Sequence, residues 1–312
     1  MFKNYLLVTF RNLLKNRVFT AINILGLGIG LSLCIVAFFN HMFNYEFDRT
    51  NENFDIIYRV NSYRDMEGRE QEYGLVPATL GLEVKKDIPG IEKAARLMRT
   101  GSPVKNGLDV YPTQVSYIDP EFLDIFTFKI LSGDKHSINN HADILISKTM
   151  ASKLFGKEYP IGKSISIFNE KNREFSYTVG AVYDDLPLNS SFRIDILSHY
   201  DNFKLMWDWT DADWKNLTTV FFVTIPDKKN LSVIARSMND YVPVQNRARQ
   251  DFKINRFSLI PLKDVGANSR TTWASGLFPS LHPAALYAPP VMALFILLNC
   301  LLQLCQYLNR RL

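Results

Sequence analysis

The chain has 312 residues, a formal net charge of +5 and a mean hydropathy of −0.07. A mean hydropathy this close to zero excludes a chain made only of membrane helices, and the length allows one large domain or two small ones. Much of the net charge comes from basic residues at the two ends, and we find no low-complexity tract and no repeat of about 20 to 50 residues. Composition therefore gives no reason to expect nucleic acid as a partner.

The first predicted element is a membrane-spanning helix over residues 18–43. This stretch contains no Asp, Glu, Lys or Arg, and at about 1.5 Å per residue it can cross a hydrocarbon core of roughly 30 Å. Gly26, Gly28 and Gly30 resemble a phosphate-binding turn, but the preceding buried strand and correctly spaced third glycine of a dinucleotide fingerprint are missing. Gly26 and Gly30 lie one helical turn apart, which predicts a helix-packing face. The alternative is that both glycines face lipid.

Residues 1–17 set the predicted orientation of this span. They carry four basic residues and no acidic one, so the positive-inside rule places Met1 in the cytoplasm. Phe2, Leu6, Phe10 and Leu13 fall on one helical face, which predicts an amphipathic lead-in lying in the headgroup plane; a simple charged lead-in is the alternative. The apolar region is too long for a cleavable signal peptide, so we favour an uncleaved anchor.

The core region, residues 44–283, alternates short strands and helices, which predicts an α+β fold with a mixed sheet and covering helices. Strands are predicted at 56–62, 71–75, 113–119, 143–147, 163–168, 174–184, 218–225 and 252–262, and helices at 77–88, 121–126, 148–155 and 231–242. Residues 92–99 fit either a strand or a helix. A turn is predicted at 66–69, between the first two strands, and a hairpin is predicted around the polar loop 169–173. Because all three cysteines lie in the two apolar segments, this region has no disulfide available.

A second, weaker span is predicted over residues 284–308. It is followed by the basic tail 309–312, which returns the chain to the cytoplasm and places the core region in the periplasm, outside the inner membrane. Asn299, Gln303 and Gln306 are costly when they face lipid. Either these three side chains meet partner helices, or the segment is not a settled span.

The sharpest motif is a near miss to a nucleotide-binding loop. The stretch "GKEYPIGKS", residues 156–164, ends like a Walker A loop, but five residues separate Gly156 from Gly162 where the motif requires four. Pro160 adds a position with no N–H to offer a phosphate. We therefore expect neither nucleotide binding nor any other cofactor.

No other pattern supports catalysis or a metal site. His136 and His141 lack a completing ligand, and His41, His199 and His282 stand alone in the sequence. The acidic stretch 208–214, "DWTDADW", lacks the spacing of a calcium loop and is interpreted as a solvated loop anchored by aromatic packing. We find no Ser, His and Asp set, so the sequence predicts no catalytic, cofactor-binding or metal-binding residue and no enzyme.

Several motifs nevertheless resemble one known family, in that family's order. They are the opening "NYLLVTFRNLLKNRVFTAINILGLGIGLSLCIVAFF", then "YEFDRTNENFDIIYRV", "DPEFLDIFTFKILSGD", "ILISKTMASKLFGKEYPIGKSISI" and "YTVGAVYDDLPLNSSFRIDIL". Together they are similar to permease subunits of the MacB/FtsX type, from ABC transporters, and the resemblance covers roughly residues 1–265. In that family the "FG...PIGK" stretch is structural.

The resemblance implies a permease without catalytic residues. A separate cytoplasmic ATPase subunit would hydrolyse ATP, and the spans would pass its movement to a periplasmic domain that acts on lipophilic, peptide or lipoprotein cargo. A second permease copy and membrane lipid are the other expected partners. Such permeases carry at least four spans, so the resemblance predicts that this chain is truncated after its second. The alternative class is a membrane-anchored sensor or binding module, but the cytoplasmic ends are too short for a signalling domain.

Overall fold

The computed structural model describes residues 11, 15 and 17–309 of the chain, with the side chains of Phe19 and of residues 304–309 left out. Most of the predicted lead-in, including Phe2, Leu6, Phe10 and Leu13, lies outside the described residues. The chain forms two compact units. One contains two long helices, and the other, the core unit, spans Phe47–Ser280.

Helix α1 spans Arg17–Tyr45 and the last helix, α9, spans Pro283–Asn309. Within them, Thr20–Tyr45 and Pro283–Gln303 are long and apolar enough to cross a membrane. Proline lacks an N–H, so Pro289 and Pro290 each remove one backbone hydrogen bond from α9. The domain boundaries of the sequence analysis stay predictions, because contacts between residues do not locate a membrane.

The core unit is a mixed α+β domain, as predicted. Its strands are β1 Ile57–Met66, β2 Arg69–Tyr73, β3 Val76–Pro77, β4 Lys93–Asn106, β5 Asp109–Ile118, β6 Ile130–Gly133, β7 Asp143–Ser147, β8 Ser164–Phe168, β9 Glu174–Tyr183, β10 Ile196–His199, β11 Leu217–Thr218, β12 Val220–Thr224 and β13 Arg256–Pro261. Its helices are α2 Ala78–Asp87, α3 Phe122–Ile125, α4 Lys148–Phe155, α5 Tyr200–Trp207, α6 Leu231–Asn239, α7 Val242–Ala248 and α8 Leu262–Asn268, with 3-10 turns at Lys135–Asn139 and Lys228–Asn230.

Among the described residues, eleven strands form one sheet, in the order β13, β1, β12, β4, β5, β10, β7, β9, β6. Strand β2 pairs with β1, and β8 pairs with both β4 and β9. The ladders are antiparallel except at the β5–β10 and β7–β9 pairs, which are parallel. Strands β3 and β11 form a separate two-stranded sheet.

Strand β12 is buried on both faces. Successive side chains of a strand point in opposite directions, and here Phe221 packs with α2 and α6 in one apolar cluster while Phe222 packs with Phe126 and Phe192 in another. Both β12 phenylalanines are fully buried. The strand predicted at 218–225 is thereby confirmed over residues 220–224, whereas Thr218 belongs to β11 in the two-stranded sheet.

The two predicted hairpins are confirmed in register. Met66 pairs with Arg69 across a two-residue turn, in which Glu67 and Gly68 have positive φ values of 56° and 80°. Strands β8 and β9 pair antiparallel, with Ile167 opposite Phe175. The side chain of Asn169 closes their loop by accepting the N–H groups of Lys171 and Arg173, each at 3.0 Å.

Other sequence predictions needed correction. The ambiguous run 92–99 is part of the 14-residue strand β4. The helix predicted at 231–242 ends at Asn239, and a separate helix, α7, begins at Val242, where Pro243 favours a new helix start. The strand predicted at 252–262 shortens to β13, and β6, β10 and α5 were missed. Strand β10 has only four residues, too short to show a period.

Gly133 occupies a position that only glycine fits. Its φ is +79°, and a Cβ added there would lie 2.1 Å from the carbonyl oxygen of Gly180 on the neighbouring strand. Gly107, in the β4–β5 turn, has a comparable φ of +62°, but nothing lies within 4 Å of its added Cβ. Substitutions at these two glycines can therefore distinguish the cost of backbone strain from the cost of a steric conflict.

We expect Gly133→Ala to destabilise the core unit by roughly 2 to 5 kcal/mol, the sum of left-handed backbone strain and overpacking. Gly107→Ala should cost only the strain, about 1 to 2 kcal/mol. Denaturant unfolding of the detergent-solubilised chain, followed by tryptophan fluorescence, measures both. Equal losses for the two variants would contradict the β6–β9 pairing.

Candidate functional site

The two long helices meet at the glycines singled out in the sequence. A Cβ added to Gly26 would lie 2.8 Å from Sγ of Cys300, and one added to Gly30 would lie 3.3 Å from Cδ2 of Leu297. Gly28 has nothing within 4 Å of its added Cβ. Gly26 and Gly30 thus face α9 of the same chain, whereas Gly28 points away. Their role as a packing site in the membrane stays a prediction.

The unit of two long helices also contains polar side chains, one of which joins the two helices by a hydrogen bond. Asn40 on α1 donates through Nδ2 to the carbonyl oxygen of Ala285 on α9, at 2.8 Å. Asn299 and Gln303 are exposed, so they lie outside the α1 contact. The side chain of Gln306 is outside the described residues. Polar side chains exposed on an otherwise apolar helix are costly in lipid and favour contact with other helices.

The loop at residues 156–164 turns the chain from α4 into β8. Gly156 ends α4 with a φ of +63°, and the N–H of Gly162 donates to the carbonyl oxygen of Val179 at 2.9 Å. The Lys163 ammonium forms an ion pair with Glu158. An amide and a lysine that a phosphate would need are thus used in local contacts, in keeping with a structural loop.

A buried arginine gathers the acidic loop 208–214 onto the sheet. Arg96 on β4 makes two 2.8 Å bonds to the Asp119 carboxylate and donates at 2.7 Å to Asp211. Burial alone lowers the pKa of Arg96, but the hydrogen bonds and charge of Asp119 raise it overall. Burial raises the pKa of Asp211, and the bonds from Arg96 outweigh this and lower it.

The interpretation of 208–214 as a solvated loop is therefore wrong for Asp211, which is buried. Its aromatic anchoring is confirmed. The Trp209 ring centroid lies 5.2 Å from that of Phe203, and Trp214 stacks on Tyr241 at 5.3 Å. The sequence could not give the partner, since Arg96 precedes Asp211 by 115 positions.

A second buried arginine fastens the last segment of the core unit to the sheet. Arg59 on β1 is 1% exposed and donates through Nη1 to Oγ of Ser275 at 2.9 Å and through Nη2 to its carbonyl oxygen. Burial lowers the pKa of Arg59 to about 10, a change opposed by the nearby charge of Glu72. No sequence signal pointed to this contact.

One polar cluster contradicts the expectation that His199 stands alone. Its ring centroid lies 4.1 Å from that of His141, and the carboxylate of Asp201 lies beside both imidazoles. His141 is 58 positions before His199, and it reaches His199 and Asp201 because β7 and β10 are paired. His136 is not part of the cluster.

Comparison with known proteins identifies the core unit. Residues 20–250 match the family model of the MacB-like periplasmic core domain. The chain belongs to this family. Proteins of this family are components of ABC transporter permeases, so the resemblance seen in the sequence motifs is confirmed. No curated protein matches the chain.

Three solved structures are similar to the MacB-like chain. A domain from a Porphyromonas gingivalis protein described as a permease has a TM-score of 0.53 and 22% identity, covering 68% of this chain and 91% of its own. The extracellular domain of the ABC-type transporter YknZ from Gram-positive bacteria has a TM-score of 0.47, 12% identity and coverages of 65% and 99%. The periplasmic region of MacB from Actinobacillus actinomycetemcomitans has a TM-score of 0.48, 12% identity and coverages of 69% and 93%. At this identity the first comparison supports the fold.

The glycine contact makes a crosslinking prediction for this MacB-like chain. In Gly26→Cys, the new side chain lies next to the native Cys300, within reach of a disulfide. We expect mild oxidation to join the two in membranes, in a background where Cys34 and Cys305 are alanine. Gly28→Cys is the matched control and should not crosslink. After proteolytic cleavage between the two helices, a non-reducing gel shows whether a disulfide still joins the fragments. Equal crosslinking of both variants would contradict the contact.

Proposed function

We propose that this chain is a permease subunit of an ABC transporter, or the N-terminal part of one, and that it has no catalytic residues of its own. The observation that carries the proposal is the family match over residues 20–250, together with an apolar helix on each side of the core unit. In this function the core unit does mechanical work in the periplasm, and a separate cytoplasmic ATPase hydrolyses ATP.

The charge pattern supports a periplasmic location for the core unit. Arg11, Lys15 and Arg17 precede the apolar part of α1, and Arg310 and Arg311 follow α9. Positive residues stay on the cytoplasmic side of short flanking segments. Both ends therefore lie in the cytoplasm, in a multi-pass protein of the bacterial inner membrane.

Mechanical coupling requires packed elements rather than a reactive site. The close approach of α1 to α9 at Gly26 and Gly30 lets the pair move as one body in the membrane. In the core unit, the Arg59 contacts hold the segment around Ser275, eight positions before Pro283 begins α9, against the sheet. A buried arginine with fixed partners resists local opening, which suits an element that transmits force.

The expected partners follow from the same features. The ATPase subunit supplies the chemical energy, and lipid surrounds the exposed apolar side chains of both helices. A second permease copy, or further spans, would cover Asn299 and Gln303, which α1 leaves exposed. The cargo is lipophilic, peptide or lipoprotein in class.

Topology is tested by cysteine labelling in a variant without Cys34, Cys300 and Cys305. Leu108, at the tip of the β4–β5 turn, is 99% exposed. We expect Leu108→Cys to react with a membrane-impermeant maleimide in intact spheroplasts, whereas Lys15→Cys should react only after lysis. The reverse pattern would remove both the periplasmic location and the transporter function.

The transporter function itself is tested with an ABC ATPase from the same organism, chosen first from any encoded beside the gene for this chain. We expect the two proteins to copurify and the ATPase rate to change at least about twofold in proteoliposomes that contain both. The chain alone should not hydrolyse ATP, and Lys163→Ala should alter neither result, since Lys163 is paired with Glu158. An ATPase variant whose Walker A lysine is replaced serves as the negative control. If the ATPase neither copurifies nor responds, the anchored binding module becomes the better account.

A further inference from the structure

Three side chains of types that can ligate a metal meet in the core unit, and one of them comes from a segment 58 positions before the nearer of the other two. His141 lies in the turn before β7, His199 ends β10, and Asp201 lies in the first turn of α5. Oδ2 of Asp201 is 3.8 Å from Nε2 of His141 and 3.8 Å from Nδ1 of His199. All three ligand atoms lie within 4.8 Å of one another.

Buried contacts hold the two histidines in place. Asn202 is 3% exposed, and its Nδ2 donates both to the carbonyl oxygen of His141 at 2.8 Å and to Oγ of Ser198 at 2.9 Å. This amide joins the turn of His141 to the strand end that carries His199. Asn140 tightens the turn by accepting the N–H of Ala142 at 3.2 Å. These hydrogen bonds thus fix the backbone segments that carry the two histidines.

Charged side chains surround the three candidate ligands. Lys204 contacts the other oxygen of Asp201, Oδ1, at 2.6 Å, and also contacts Asp211 at 3.3 Å. Burial raises the pKa of Asp201, but the hydrogen bond and charge of Lys204 outweigh this and lower it. Burial, and then the neighbouring His141, lower the pKa of His199 despite the opposing charges of Asp201 and Asp119.

We propose that His141, His199 and Asp201 bind a divalent metal ion such as Zn²⁺, and that water completes the coordination of the metal. Two imidazoles and one carboxylate suit Zn²⁺ and similar ions better than Mg²⁺ or Ca²⁺, which prefer oxygen ligands. His141 is exposed, which leaves the site open to water and to the entering ion.

Metal binding requires the three ligands to draw closer together. With bonds of about 2.0 to 2.1 Å, tetrahedral zinc ligands lie roughly 3.3 Å apart. The two 3.8 Å separations from Asp201 must therefore shrink by about half an ångström, and the imidazole nitrogens, which lie within 4.8 Å of each other, must reach the same spacing. Nδ1 of His199 now caps α5 by accepting the N–H of Asp201 at 3.1 Å. Metal binding replaces this hydrogen bond and clips the turn before β7 directly to α5.

The test is a calorimetric titration of the full chain with ZnCl₂ in detergent, purified without a polyhistidine tag. We expect one saturable site, weakened at least about tenfold by His141→Ala and by Asp201→Asn. His199→Asn keeps a helix-capping side chain and should weaken zinc to a similar extent. His136→Ala is the matched control, because His136 is exposed and outside the cluster, and its affinity should equal that of the unchanged chain.

Thermal unfolding separates loss of the site from loss of the fold. Zinc should raise the melting temperature of the unchanged chain and of His136→Ala, since it binds only the folded state, and should have no effect on His141→Ala. His141→Ala should unfold at the same temperature as the unchanged chain when zinc is absent. No saturable binding, or equal binding by His141→Ala and His136→Ala, would overturn the proposal.

Discussion

The core unit depends on burying a sheet on both faces. Strand β12 is buried on both faces, since Phe221 and Phe222 pack in different apolar clusters on opposite sides of the sheet. Helices α2 and α6 close one face, while Phe126 and Phe192 pack edge to face against the other, with ring centroids 4.8 Å apart. Burying a phenylalanine side chain contributes roughly 1.5 to 3 kcal/mol, so this strand fixes the position of the strands on either side.

Ion pairs and hydrogen bonds of charged side chains position the segments that the apolar layers do not hold. Arg96 extends from β4, next to β12 in the sheet, and holds Asp119 and Asp211 within hydrogen-bonding distance. Through Asp211 and Lys204 the same network reaches Asp201 and the paired histidines. Isolated buried charges are strongly unfavourable, and here each has an opposite partner. The network makes the loop 208–214 and helix α5 parts of one polar framework.

This architecture fits the mechanical role that we propose. Each feature that could have suggested catalysis has a structural use: the glycines of α1 meet α9, and the loop at 156–164 is closed by backbone bonds to Val179. The membership in the MacB-like periplasmic core domain family agrees with that assignment. Zinc bound to the paired histidines would link the turn before β7 to α5 and so stabilise the fold, rather than act as a reaction centre.

The sequence by itself determined the two apolar helices, the α+β class, the strand β12 and the hairpins at 66–69 and 169–173, because each rests on a local pattern of hydrophobicity or turn residues. It also predicted Gly26 and Gly30 as a helix contact, but only the fold supplied Cys300 and Leu297 as their neighbours. Strand β10, the Arg96 network and the cluster at His141 and His199 were decided by tertiary structure alone. The Arg96–Asp211 contact joins residues 115 positions apart and the His141–His199 contact joins residues 58 positions apart, and no local periodicity encodes a pairing across such distances.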